Sequence, residues 1–288
     1  MAKVREIWRD LVITLREHHL SGPTREARFL LAEVLSTSPS RIYLFWDHEI
    51  GREKMEKLYL LLQDRLNGVP LQYVLREWEF FSLTFEMKRG VFIPRLDTES
   101  WVEEALLTLR TRFKTETGIV CDLCCGSGVI GITAAYWVPN IQAYGVDIST
   151  EAVNLALKNA RKLGVDKQMV FVQSDLFDFF KSIAVVQFDM ILCNPPYVKE
   201  DDWSTLSPEI TGHESKIALV GGHDGLDLIR RIINDSPQFL KKDGLLYLEH
   251  DPSQVDAIAD FAIYSSFQLD HVISDYQQQP RATVFIKK

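Results

Sequence analysis

The sequence predicts an α/β fold, in which a mostly parallel sheet flanked by helices follows a small helical bundle. Three observations carry that expectation. Apolar residues recur at helical spacing over residues 1 to about 72. Aromatic, strand-prone residues then cluster over 73–93. From about residue 94 onward short apolar runs alternate with helical stretches, the pattern of a parallel sheet with helical crossovers.

The elements follow in order. Val4, Ile7, Trp8, Leu11, Val12 and Leu15 form one helical stripe, stopped by Ser21-Gly22-Pro23. Ala27, Leu30, Leu31, Val34 and Leu35 form a second, ended near Ser38-Pro39. Met55, Leu58, Leu61, Leu62 and Leu66 form a third, with Asn67-Gly68 as its C-cap. This first domain, 1–72, shows no paired carboxylates and no metal-spaced histidines. Tyr73, Trp78, Phe80, Phe81, Leu83, Phe85 and Met87 predict a β-hairpin linker over 73–93. The runs Ile119–Leu123, Ala143–Ile148, Met169–Val172, Phe188–Cys193 and Leu245–Leu248 read as buried central strands. Helices are expected at Thr150–Leu163, capped by Ser149, and at Asp224–Leu240. The runs Phe267–Ile273 and Ala282–Ile286 read as antiparallel edge strands.

Composition excludes several classes. At 288 residues, 46% apolar and 25% charged, the chain can bury a sizeable core without staples. Forty acidic against 32 basic residues leave a net charge of −8, unlike a scaffold that holds nucleic acid by bulk charge. Four cysteines, three of them within Cys121–Cys125, do not make a disulfide framework and point to a reducing compartment. No apolar run approaches the ~18 residues of a membrane span. The first ten residues lack the apolar stretch of a secretory signal, so a cytoplasmic protein without membrane association is expected. Cys121 and Cys124 form a single C-x-x-C without a second pair or a nearby histidine, so core packing is expected rather than zinc. The seven histidines show no metal-binding spacing, and no metal is expected. Glu200, Asp201 and Asp202 read as a solvated loop.

In an open parallel sheet, ligands bind beyond the carboxyl ends of the strands. Three such ends are chemically marked here. Asp122-Leu123-Cys124-Cys125-Gly126-Ser127-Gly128 is a strand running into a helix near Val129, where small residues admit a ligand and the helix start offers N–H groups. It is not a clean G-x-G-x-x-G, which disfavours a dinucleotide-dependent oxidoreductase. Asp147 ends the next strand, 21 residues after Gly126, where an acid can accept ribose hydroxyls. The third end is Asn194-Pro195-Pro196-Tyr197, directly after Phe188–Cys193. Its two prolines fix φ, remove two N–H donors and leave rigid carbonyl acceptors. Asn194 adds an amide oxygen and Tyr197 an aromatic face, so the turn suits a planar NH2 group with two hydrogens to place.

These residues resemble the class I S-adenosylmethionine-dependent amino-methyltransferases. More specifically, the chain is similar to the HemK/PrmC family of release factor glutamine methyltransferases, over nearly its whole length. Gly68-Val69-Pro70-Leu71-Gln72-Tyr73 and Glu77-Trp78-Glu79-Phe80 match the family's linker signature. Ile93-Pro94-Arg95-Leu96-Asp97-Thr98-Glu99 matches its cofactor-side loop. Gly221-Gly222-His223-Asp224-Gly225-Leu226 and Leu246-Tyr247-Leu248-Glu249 match later motifs. The resemblance implies a Rossmann-like, seven-stranded, mostly parallel methyltransferase domain over 94–288, with 1–72 docking the substrate. It implies S-adenosyl-L-methionine as cofactor, with Cys124, Cys125, Gly126, Ser127 and Gly128 cradling its methionine part and Asp147 at the ribose. Asp175 and Leu176 would lie at the adenine, and Arg95, Thr98 and Glu99 would line the methionine end. Asn194, Pro195, Pro196 and Tyr197 would hold the glutamine of a Gly-Gly-Gln motif in a class I peptide chain release factor, Asn194 also touching the cofactor. The protein would act as a monomer, without a nucleic-acid substrate. Three departures from the family pattern stand out: Cys124 and Arg76 replace glycines, and Ser215 stands where proline follows Glu214. The Asn-Pro-Pro-Tyr turn by itself leaves open an amino-methyltransferase acting on adenine, cytosine or guanine. Cofactor binding lost at Cys124 would leave an inactive release-factor-binding module.

Overall fold

Burial of the stripes and runs just described divides the chain into two units. The structure, a computed structural model, describes residues 2–183 and 186–288. One unit comprises Met1–Glu77 with Pro208–His213, the other Trp78–Ser207 with Glu214–Lys288.

The first unit contains α1 (Val4–Glu17), α2 (Pro23–Leu35), a 3-10 segment Pro39–Phe45, α3 (Arg52–Leu66) and α4 (Leu71–Leu75). Helix α1 buries Val4, Ile7, Leu11, Val12 and Leu15, the stripe its periodicity predicts. Pro23 opens α2 at a position where its missing N–H has no intrahelical partner to lose. Helix α3 fully buries only Leu58 and Arg65. The buried Arg65 guanidinium donates from Nε and Nη2 to both oxygens of Glu26 at 2.7 and 3.0 Å, and from Nη1 to the Val69 carbonyl at 3.1 Å. Its Nη2 also reaches Glu209 at 3.2 Å, which draws residues 208–213 into this unit. A buried guanidinium without such acceptors would be strongly unfavourable.

Tyr73 corrects the hairpin expectation: it lies in α4, not in a strand. Pro70 presets the entry into this short helix, and Arg76 ends it in the left-handed region at φ +62°. The hairpin proper is β1 (Glu77–Phe80) and β2 (Leu83–Glu86), so Met87 falls outside it. Phe81 and Ser82 make its two-residue turn with φ +49° and +60°, the paired positive φ that a tight hairpin needs.

The chain then runs α5 (Leu96–Arg112), β3 (Gly118–Leu123), α6 (Val129–Trp137), β4 (Ile141–Asp147), α7 (Thr150–Lys162), β5 (Met169–Gln173), α8 (Asp178–Lys181) and β6 (Phe188–Cys193) in the second unit, α9 (Pro208–Thr211) in the first, and α10 (Asp227–Asp235), β7 (Leu240–Glu249), α11 (Val255–Ile263), β8 (Phe267–Ser274) and β9 (Pro280–Lys287) again in the second. Seven strands form one sheet in the order β5-β4-β3-β6-β7-β9-β8. Strands β3 to β7 are parallel, and β9 runs antiparallel to both β7 and β8. The edges are therefore β5 and β8, so the run Met169–Val172, expected as a buried central strand, lies at an edge with Val170 exposed; β9, expected at an edge, is interior, and its run Ala282, Thr283, Val284, Phe285 is wholly buried. The helix expected over Asp224–Leu240 is shorter. Pro237 cannot continue it, Ser236–Gln238 tightens into a 3-10 turn, and Leu240 already belongs to β7. Ser149 caps α7 as expected, its hydroxyl accepting from the Ala152 N–H at 3.3 Å.

Arg76 is exposed and holds a backbone conformation that disfavours any Cβ. Replacing Arg76 with Gly should raise the unfolding free energy by up to about 1 kcal/mol, the relieved strain less the added chain entropy. Urea unfolding checks this; a lower midpoint would mean that the arginine side chain contributes more than its backbone strain removes.

Candidate functional site

The sheet order places its switch point between β3 and β6, the first parallel strand having one successor on each side. Register then levels the strand ends. Leu123 pairs with Val146 and with Cys193, and Cys193 pairs with Leu248. The turn after β3, the end of β4, the turn after β6 and the end of β7 thus open onto one rim.

After β3 the backbone turns sharply through Cys124 at φ +60°, Gly126 at +55° and Gly128 at +82°. Cys124 is half-buried and adopts the left-handed conformation that explains why glycine suits this position. A Cβ on Gly126 would meet nothing within 4 Å, so open space lies beside the turn. At Gly128 a Cβ would press on Ile132 and Ala156 at 2.7 and 2.9 Å, so only glycine lets α6 and α7 close there. The Cys125 N–H bonds the Val146 carbonyl at 2.9 Å, and the Gly126 N–H donates to Asp147 Oδ2 at 2.8 Å. The other Asp147 oxygen accepts from the Ser149 N–H at 2.9 Å. Asp147 is therefore built into the turn as its brace, with lone pairs remaining on both oxygens. Burial pushes its carboxyl above the usual range, against the backbone donors that pull it down.

Asp122, one residue inside β3, is fully buried. Its Oδ2 accepts from the Gly131 N–H at 2.8 Å, while Oδ1 has no partner among the described residues. The buried Ser127 hydroxyl likewise has none. Burial pushes the Asp122 carboxyl up to about 7, helped by the nearby Asp147 charge and opposed by the Gly131 N–H.

Cys193 hands β6 over to Asn194-Pro195-Pro196-Tyr197, in which both prolines are buried while Asn194 and Tyr197 are partly open. The turn is clamped from behind. Gln254 Nε2 donates to the Tyr197 carbonyl at 3.0 Å. Gly225 packs so closely that a Cβ would stand 2.2 Å from that same oxygen, and one on Gly221 would stand 2.4 Å from the Pro196 carbonyl. The Val198 N–H bonds the Leu219 carbonyl, and the Gly221 N–H returns to Val198, at 2.8 and 2.9 Å. The Tyr197 hydroxyl donates to Glu249 Oε1 at 3.3 Å, and the Trp101 indole N–H donates to Glu249 Oε2 at 2.6 Å. Burial, then the Glu249 charge, pushes the Tyr197 phenol far above its ordinary value, so it remains a donor.

Other expected site residues have partners of their own. Arg95 donates to the buried Glu214 at 2.6 Å and lies over the Phe92 ring at 5.0 Å. Glu214 also takes the Ile93 N–H at 3.3 Å, which ties the loop before α5. Glu99 accepts from the Phe81 N–H at 3.1 Å and so braces the hairpin turn, while Thr98 is buried. Asp175 is ion-paired with Arg231 at 3.0 Å. Leu176 is buried in the core at φ +46°. Cys121 and Cys193 pack in the same core, and Cys124 packs against it. Gln254 is the residue that sequence reasoning misses, and Glu249 enters it only within a matched motif, with no role assigned. Their one signal is a polar residue terminating, or closely following, an otherwise apolar strand.

Asp122 has a pH signature. Its folded pKa lies above the unfolded value of about 4, so the folded state holds the extra proton. The protein should therefore lose stability relative to Asp122→Asn as pH rises from about 4 to about 8, by about 2–4 kcal/mol. Chemical denaturation across that range checks this; a difference that does not change with pH would contradict it.

Comparison with known proteins puts this geometry in a family. Residues 6–75 match the PrmC N-terminal domain family, and residues 82–210 match the Methyltransferase small domain family. The release factor glutamine methyltransferase of Thermodesulfovibrio yellowstonii is 36% identical over 264 residues, 91% of this chain and 92% of the relative. That of Borreliella burgdorferi is 33% identical over 91% of this chain and 88% of its own. That of Clostridium acetobutylicum is 30% identical over 99% of both chains. Among solved structures, a methyltransferase from Pyrococcus furiosus aligns with a TM-score of 0.52 at 12% identity, over 82% of this chain and 99% of that one, a likeness of fold alone. With identities of 30–36% across nearly its full length, the chain belongs to the release factor glutamine methyltransferase family.

Proposed function

We propose that this protein transfers a methyl group from S-adenosyl-L-methionine to the side-chain amide nitrogen of the glutamine in the Gly-Gly-Gln motif of class I release factors. The observation that carries the reading is the clamped Asn194–Tyr197 turn, which opens beside the glycine turn at the same sheet edge. The residues fit the cofactor on physical grounds. Open space beside Gly126 admits a ligand close to the backbone, and the unpartnered Asp122 oxygen suits a ligand that carries an ammonium group. Cys124–Gly128 and Asp147 would hold the methionine and ribose parts, with Asp175 and Leu176 on the adenine side. Once bound, the cofactor supplies an electrophilic sulfonium methyl and departs as S-adenosylhomocysteine.

The rest of the chemistry falls to the protein. An amide nitrogen is a weak nucleophile because its lone pair is delocalised into the carbonyl. Asn194 Oδ1 and the Pro195 carbonyl accept its two hydrogens and turn the residual lone pair toward the methyl. Alignment of this kind can supply up to about 7–11 kcal/mol. The same acceptors stabilise positive charge as it grows on nitrogen. Tyr197 offers its ring face to the amide plane. After transfer the nitrogen bears an extra proton, acidic enough to leave to water, so no strong base is needed within the turn. Arg95, Thr98 and Glu99 shape the loop at the methionine end. The first unit would dock the release factor, so that the Gly-Gly-Gln loop arrives ordered.

Incubating a purified class I release factor with the protein and S-adenosylmethionine tests the reading by mass spectrometry. One added methyl group should map to the Gly-Gly-Gln glutamine. Asn194→Ala should lower kcat by about a hundredfold or more, with little change in cofactor affinity. Cofactor binding without methylation of that glutamine would overturn the substrate assignment. An equal loss of cofactor binding in Asn194→Ala would overturn the role given to Asn194.

A further inference from the structure

The tier behind the Asn-Pro-Pro-Tyr turn contains a group that packing alone does not explain. Glu249 is fully buried at the end of a central strand, with 1% of its surface exposed. Register places it beside Asn194, because Cys193 pairs with Leu248. On its other side it pairs with Ala282 of interior strand β9. Its two oxygens accept from two neutral donors, the Trp101 indole N–H at 2.6 Å and the Tyr197 hydroxyl at 3.3 Å. Arg281, whose charge acts on Glu249, has its own ion pairs with Asp275 at 3.0 Å and Asp97 at 3.3 Å. Glu249 itself forms no ion pair among the described residues. A strand end of this kind is more cheaply filled by an apolar side chain, since a buried carboxylate without a direct ion pair is destabilising. Burial accordingly pushes its carboxyl above the usual range.

We propose that Glu249 is a positioning residue: its buried carboxylate holds the Tyr197 hydroxyl and so sets the ring face that Tyr197 presents to the substrate amide. The inference rests on the proposed function and deepens it. Gln254 holds the same residue at its carbonyl, 3.0 Å away, so Tyr197 is pinned at its backbone and at the far end of its ring. Between two such points the ring axis is held at χ1, and the phenolic O–H, which conjugation keeps near the ring plane, sets χ2 through the direction of its acceptor. Trp101 in turn fixes Glu249, and stacks on Tyr247 at 6.4 Å between ring centroids, so the carboxylate rests on a packed aromatic pair. The constraint is of the kind that orients a near-attack geometry, where a displacement of about 1 Å lowers rate about a hundredfold.

A double-mutant cycle with Glu249→Met and Tyr197→Phe separates this role from a structural one. Each single variant should lower kcat for the release factor about tenfold to a hundredfold, with KM and cofactor affinity near those of the unmodified enzyme. The double variant should lose no more than the worse single, because both remove the same bond. Full kcat in Glu249→Met, or losses that multiply in the double, would overturn the inference. A purely structural Glu249 would instead lower the melting midpoint and leave kcat per cofactor-binding site unchanged. Where Glu249→Met fails to fold, Tyr197→Phe decides alone, since full kcat without the hydroxyl removes any role for its partner. Absence of methylation by the unmodified enzyme would overturn the proposed function and this inference with it. Methylation by the unmodified enzyme and by both variants at equal rates would overturn the inference only.

Discussion

A turn that contains two successive prolines has lost two of its own N–H groups, and its carbonyls must find donors elsewhere or stand free. In the second unit that constraint organises everything near Asn194. The Tyr197 carbonyl is taken by Gln254, and the glycines at 221 and 225 approach the Pro196 and Tyr197 carbonyls too closely for any side chain. What lies on the rim is then a set of acceptors held rigidly before any ligand arrives. Preorganised acceptors require no reorganisation when charge develops, which is the condition under which a weak nucleophile such as an amide can react.

The sheet supplies the frame for this. Parallel register brings the ends of β3, β4, β6 and β7 level, so that the glycine turn, Asp147, the proline turn and Glu249 meet at one rim. Two carboxylates, one half-buried and one fully buried, then divide the labour. Asp147 spends one lone pair of each oxygen on the backbone of its own turn, and Glu249 accepts from a tryptophan and a tyrosine. Asp122 is different, with one oxygen committed to Gly131 and one left over, in a chain whose buried polar groups are otherwise mostly paired.

Much of this is legible in the sequence because the relevant signals are local. The strands β3 to β6 appear as short apolar runs, the α7 cap as Ser149, and the rim as the motifs that end those runs. Tyr73 misleads because an aromatic near other aromatics reads as strand, while Pro70 and the left-handed Arg76 shape a short helix instead. Strand β9 misleads because its interior position depends on pairing with β7, 33 to 41 residues earlier in the chain (Glu249 with Ala282, Leu245 with Ile286), and that is invisible to periodicity. The roles of Glu249 and Gln254 stay hidden for a related reason: the residue they hold lies 52 and 57 residues away. Arg76 and Cys124 show the reverse. Each was visible as a departure from glycine, and each proves to occupy positive φ, the reason glycine suits the place.

The central claim is that the Asn194–Tyr197 turn receives a planar amide by accepting both of its hydrogens. A crystal structure of the protein with S-adenosylhomocysteine and a bound Gly-Gly-Gln release factor domain measures this most directly. The account predicts the glutamine amide nitrogen about 3 Å from both Asn194 Oδ1 and the Pro195 carbonyl, with its plane against the Tyr197 ring. A glutamine whose carbonyl oxygen, rather than its nitrogen, faces Asn194, or one seated away from this turn, would contradict it.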